Sequence, residues 1–210
     1  MEDESLISVV DEGTTKHLFF HGTIDKSSAF NLNASLYSIK ADLVAKSQQA
    51  SFQGFTVEEE TETGTIIEDD PDEPRIILHL NCPGGTVSGA FIIADTIQNL
   101  GVEVNCIIEG AVASAGVLIM LACDKRYMLP HAQIYLHETI HAADSLDYND
   151  IKRFATDAAE INNKLKRYYI ERTGLTLQKI NKMFKEEVAL TFDEAVQLGF
   201  INQALPVNTR

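Results

Sequence analysis

No stretch of the sequence approaches the roughly 18 consecutive apolar residues that a membrane-spanning helix needs, so no span is expected. The opening "MEDESLISVVDEG" has neither the basic nor the apolar region of a secretory leader. Basic residues are scarce, with 17 lysines and arginines against 31 aspartates and glutamates, a formal net charge of −14. Nucleic acid and anionic membranes reward basic surfaces, so neither is expected as the main partner. Cysteine is rare too. Cys82, Cys106 and Cys123 form an odd set without a C-x-x-C pair, which suits a reducing, cytoplasmic setting. Cys106 and Cys123 lie in apolar runs and read as small core residues. There is no phosphate-binding loop either: "GGTVSGAF" lacks the Lys-Ser/Thr pair, so any ATP dependence must come from another protein. No cofactor is expected.

What is present is ordinary for a globular chain: 210 residues, 45% hydrophobic and 23% charged, enough for one sizeable domain. "KHLFFHGTID" (16–25) reads as a strand and turn, and residues 27–48 as an amphipathic helix. Residues 48–74 are polar and acidic and read as a solvated insertion, with a regulatory or docking segment as the alternative. Beyond them "RIILHL" is an apolar strand closed by "NCPGG", and Val87, Ala90, Phe91, Ala94 and Ile97 repeat at helical spacing. "VEVNCIIEG" reads as a strand, "VLIMLAC" as a buried helix, and "KRYML" and "AQIYL" as strands. A long helix is expected over 148–173 with Gly174 as its stop, then helices near 176–186 and 191–198 and a last strand, "FINQAL". Strands alternating with helices give an α/β fold.

Two chemistries compete. His137-Glu138-Thr139-Ile140-His141 has the H-E-x-x-H spacing of a zinc peptidase, with Glu160 or Asp157 as conceivable third ligands. That pattern works only on a helix, whereas "QIYL" follows Pro130 closely and suits a strand ending at His137. The other candidate is Ser114 in "GAVASAG", between a strand and an apolar helix whose first N–H groups favour an oxyanion. The bland reading of those small residues is tight helix packing. Against it, Pro83-Gly84-Gly85 ends one strand and His137 ends another. Strand ends are where sites form in parallel α/β sheets.

At these residues the chain resembles the proteolytic subunit of the Clp protease, ClpP. "LHLNCPGGTVSGAFIIADTIQ" is similar to that family's strand, S-P-G-G turn and helix, and "GAVASAGVLIMLACDKRYMLPHAQIYLHE" to its nucleophile segment, turn and histidine. "TGLTLQKINKMFKEEVALTFDEAVQLGFINQAL" is similar to its closing segment. The resemblance implies a ClpP/crotonase-type spiral of ββα units with a protruding handle helix at about 148–172, in one domain over 1–210. It implies Ser114 as nucleophile, His137 as general base, Glu187 at the triad aspartate's position, and Gly85 and Ala115 as oxyanion-hole donors, with no metal. Glu186 is the other local candidate for the acid, and a solvated helix-end charge is the bland reading of Glu187.

The resemblance further implies heptameric rings stacked as a tetradecamer, a Clp-type ATPase unfoldase as partner, and unfolded protein chains as substrate. If His137 ends a strand, the metal helix cannot form and His141 is a loop residue. Departures stand out: Cys82 replaces a serine, the stretch after His137 lacks the family's Pro and Gly-Gly, and the segment ahead of "HLFFHG" is shorter than the family's axial hairpin. These mark a divergent member and leave a phage origin open. Two other readings stay open, a capsid-maturation protease of the same fold and a catalytically silent ring subunit.

Overall fold

The computed structural model of the chain describes residues 6–53, 73–137 and 148–203. Its centre is a set of parallel strands, β2 (Thr15–His21), β3 (Arg75–Cys82) and β4 (Glu103–Ala113). Side chains alternate along them, and Leu18, Phe20, Leu78, Leu80, Val104, Cys106 and Ile108 all turn to one face and are buried. Parallel neighbours need a crossover, which α1 (Lys26–Gln53), α2 (Val87–Asn99) and α3 (Gly116–Ala122) supply. Leu32, Leu36 and Leu43 of α1, Ile93 and Ile97 of α2, and all of α3 join the same core. The expected α/β alternation holds.

β4 changes partner partway along. Cys106–Ile108 pair in parallel with β5 (Arg126–Met128), while Ala111–Ala113 pair in parallel with β6 (Gln133–Tyr135). β6 then takes β7 (Ala189–Leu190) antiparallel, and β1 (Leu6–Glu12) closes the opposite edge against β2. The sheet order is β1-β2-β3-β4-β6-β7, with β5 branching from β4. α4 (Tyr148–Thr173) ends where Gly174, at φ +74°, sends its N–H back to the Ile170 carbonyl. Arg172 near its end donates to the Leu121, Ala122 and Cys123 carbonyls, satisfying buried C-terminal groups of α3 that lack partners within the helix. α5 (Leu177–Glu186) and α6 (Phe192–Gln197) come next. No helix among the described residues is long and apolar enough to cross a membrane.

Two sequence expectations are corrected, and one strand was not read at all. The first helix runs to Gln53 rather than 48, because Gln, Ala and Ser sustain a helix without an apolar stripe. Residues 54–72 of the acidic insertion lie outside the described residues. β1 carries no readable periodicity, since Leu6, Val9 and Val10 are exposed on a sheet edge. It is held by its antiparallel ladder to β2 and by charge: buried Lys16 bridges Asp11 of β1 and Asp42 of α1, and Lys46 reaches Asp11 at 2.8 Å. Hydrogen bonds from Lys16 and then Lys46 draw the Asp11 carboxyl down to about 2. Finally, Phe200–Gln203 of "FINQAL" form no strand. The Asn202 side chain, rather than a backbone carbonyl, accepts from the Arg126 N–H at 2.7 Å, so no ladder propagates.

Arg126 fastens this closing segment. Its buried guanidinium donates to the carbonyls of Phe200 (2.7 Å), Gly199 (3.2 Å) and Cys123 (3.2 Å). Arg126→Met leaves these buried acceptors unpaired and should cost about 2–4 kcal/mol in urea unfolding. A loss below about 0.5 kcal/mol would show that the clasp contributes little.

Candidate active site

Ser114 occupies the reversal between β4 and α3. Its φ of +52° lies in the left-handed region, a conformation that costs a non-glycine residue about 1–2 kcal/mol. The surroundings hold it there. Its N–H donates to the Tyr135 carbonyl of β6 at 3.1 Å, and its own carbonyl accepts from Val117 at 3.1 Å as α3 begins. α3 is buried over its whole length, so the elbow is clamped by packing on the far side.

The turn after β3 presses directly onto this elbow. A Cβ at Gly84, whose φ is +109°, would lie 2.8 Å from the Ser114 Cβ and 2.9 Å from the Ala113 carbonyl oxygen. Only glycine permits that approach. Next to it, Ile24 donates its N–H to the Gly84 carbonyl at 2.7 Å and accepts from the Thr86 N–H at 2.7 Å. Those two bonds bracket Gly85, so the Gly85 N–H is directed to the other side of the chain, away from Ile24. Ala115, 3% exposed, precedes the first helical residue, and its N–H belongs to the group that an α-helix leaves without internal acceptors.

His137 lies just past β6, two residues beyond the Tyr135 that pairs with Ala113. Neighbouring strands lie ~4.8 Å apart, so the chain segments carrying Ser114 and His137 leave the sheet from adjacent strand ends. Ser114, His137 and Gly85 line one cavity of about 880 Å³. Ile24, Val87, Phe91, Ile92 and Ile161 supply its apolar walls, and Asp95 and Lys164 its charged rim, with the Lys164 ammonium 4.1 Å from the centre of the Phe91 ring. Sequence reading missed these wall residues, although Ser88, Phe91, Ile92 and Asp95 repeat at the spacing of one helix face.

Ala115 and Glu187 do not line that cavity. Glu187 is exposed and caps α5 in the left-handed region, at φ +50°. The Leu136 N–H donates to the Val188 carbonyl at 2.9 Å, extending the Ile134–Leu190 and Tyr135–Ala189 pairing. Continued by one residue, that register sets Glu187 opposite His137. The backbones are thus neighbours, while the carboxylate lies outside the lining. Glu186 is exposed too and stands 3.7 Å from Lys182.

For the zinc pattern, His137 comes after a strand rather than sitting in a helix, and Glu138 and His141 lie outside the described residues. Glu160 lines a separate trough between α2 and α4, and Asp157 lies on α4 outside both cavities. Cys82 is fully buried beneath the Gly84 turn. Burial pushes its thiol up to about 11, only partly opposed by a hydrogen bond from the Gly84 backbone. A buried, protonated thiol is a poor nucleophile.

Comparison with known proteins agrees with this architecture. The family described as Clp protease matches residues 60–207. Among solved structures, a ClpP1 mutant from Listeria monocytogenes superposes with a TM-score of 0.68 over 90% of each chain, at 22% identity. At that identity the likeness is one of fold.

The buried, protonated Cys82 should resist iodoacetamide at about pH 7.4 in the native protein and react only after denaturation. Alkylation of native Cys82 at the rate of a free thiol would contradict the described packing.

Proposed function

The chain belongs to the Clp protease family, and on that premise we propose that it is a serine endopeptidase acting through Ser114 and His137. The observation that carries this reading is the single cavity lined by Ser114, His137 and Gly85. The Ser114 hydroxyl attacks a peptide carbonyl while His137 takes its proton. The oxyanion that forms is met by the N–H of Gly85, which lines the cavity, and by that of Ala115, which follows Ser114 at the start of α3. His137 then gives its proton to the leaving amine, and water attacks the acyl-Ser114 ester by the same route in reverse.

The walls formed by Val87, Phe91, Ile92 and Ile161 suit an apolar side chain next to the scissile bond. The substrates would be unfolded chains, delivered in the cytoplasm by a Clp-type ATPase into a chamber built from two heptameric rings of this chain. Glu187 would orient the imidazole from its place opposite His137. One specific observation favours a second reading, a catalytically silent ring subunit: Glu187 is exposed and off the cavity lining.

Hydrolysis of a fluorogenic peptide with an apolar residue before the cleaved bond separates the two readings. Ser114→Ala and His137→Ala should each lower kcat by about 10⁴-fold or more, and Glu187→Gln by about 100-fold or more. Wild-type protein no faster than Ser114→Ala would establish the silent subunit. A Glu187→Gln enzyme with unchanged kcat would remove Glu187 from the mechanism.

A further inference from the structure

Between β3 and β4 the register slips: Leu80 faces Ile108, whereas Cys82 faces Val112. Asn81 alone therefore stands against Glu109, Gly110 and Ala111, a bulge in β4. Such insertions bend a strand and re-aim the residues beyond the bend. Before this bulge β4 pairs with β5; after it, Ala111–Ala113 pair with β6, and the Ser114 N–H reaches Tyr135.

Resting on the acyl-transfer reading of Ser114, we propose that Asn81 is a positioning residue whose carboxamide holds this bulge and thereby sets the nucleophile against His137 and Gly85. Its Oδ1 accepts from the Ala111 N–H at 3.1 Å, taking a donor that the slipped ladder leaves without a β3 carbonyl. The seat is closely fitted. A Cβ on Gly110 would lie 2.8 Å from Asn81 Oδ1 and 3.1 Å from its Cγ. The backbone of Asn81 is fixed from the other side, its carbonyl accepting from the Gly22 N–H at 3.0 Å. Glu109, the charged member of the bulge, is held by His79 at 2.6 Å and His21 at 3.1 Å.

Asn81 also opens the run Cys82-Pro83-Gly84-Gly85. One side chain thus joins the segment carrying the Gly85 N–H to the leg of β4 carrying Ser114. Asn81 is not among the residues lining the cavity, so it acts through those two. Removing its oxygen frees the Ala111 leg to shift. A displacement near 1 Å at a reacting group costs about 100-fold in rate while leaving ground-state binding nearly intact.

Steady-state kinetics on the fluorogenic peptide test this, with thermal melting and oligomeric state recorded for every variant. Asn81→Ala should lower kcat about 100-fold with KM within about threefold of wild type, and Asn81→Asp, which keeps an acceptor oxygen, should recover most of the loss. Gly110→Ala, crowding the same oxygen, should fall similarly, and Asn81→Ala/Gly110→Ala should be no slower than Asn81→Ala. A wild-type kcat in Asn81→Ala, additive losses in the double variant, or a kcat loss that only tracks the unfolded fraction would overturn the proposal. If Asn81→Ala fails to fold, Asn81→Asp and Gly110→Ala decide it by the same kcat criterion. Activity surviving in Ser114→Ala is a separate failure, of the nucleophile assignment itself.

Discussion

The hydrogen bond from the Ser114 N–H to the Tyr135 carbonyl, 3.1 Å long, governs the geometry of the whole cleft. It closes the short parallel ladder between Ala111–Ala113 and Gln133–Tyr135, the pairing that brings the end of β4 beside the end of β6. Two side chains 23 positions apart, Ser114 and His137 (137 − 114), leave the sheet from adjacent strands because of that ladder. In the proposed roles, a nucleophile and a base on neighbouring strand termini would inherit the stiffness of the sheet, which loops do not offer. β7 extends the same logic by one strand, its ladder continued by the Leu136 N–H to the Val188 carbonyl, next to Glu187.

Strain and close approach accompany this arrangement. Ser114 adopts a left-handed backbone, and the Gly84 turn lies against it too tightly for any side chain. Gly116 makes the matching contact one step on, where a Cβ would be 2.9 Å from the Cys82 carbonyl and 3.1 Å from its sulfur. Cys82 therefore fills the space between the two turns as a buried, neutral atom. The cost of the strained serine is small beside the burial of α3, whose Val117, Leu118, Ile119, Met120 and Leu121 are fully enclosed. Packing of the helix holds the Ser114 turn in a form it would not adopt alone.

The layout of strands and helices was legible because β3, β4, α2 and α3 are buried deeply enough to write their periods into the residues. The positions of Ser114, between an apolar strand and an apolar helix, and of His137, just after "QIYL", could be read the same way, while their roles belong to the proposal. The features that escaped depend on partners distant in sequence. β1 is exposed, so its residues carry no alternation; its antiparallel ladder to β2 places it, and only the Lys46 end of its ion pairs is distant in sequence. "FINQAL" has a strand's composition, yet the Asn202 carboxamide takes the Arg126 N–H that a ladder would use. The slip at Asn81 was invisible, since a bulge is a relation between two strands and not a property of either one. H-E-x-x-H shows the reverse hazard: its spacing has chemical meaning only on a helix, and His137 stands just beyond a strand.

Treating the protein with a fluorophosphonate and locating the adduct by peptide mass mapping tests the pairing of Ser114 with His137 most directly. One covalent adduct per active chain is expected on Ser114, forming at least about 100-fold more slowly when His137 is replaced by alanine. A folded, assembled protein that takes up no label, or takes it on another residue at a rate indifferent to His137, would contradict that pairing.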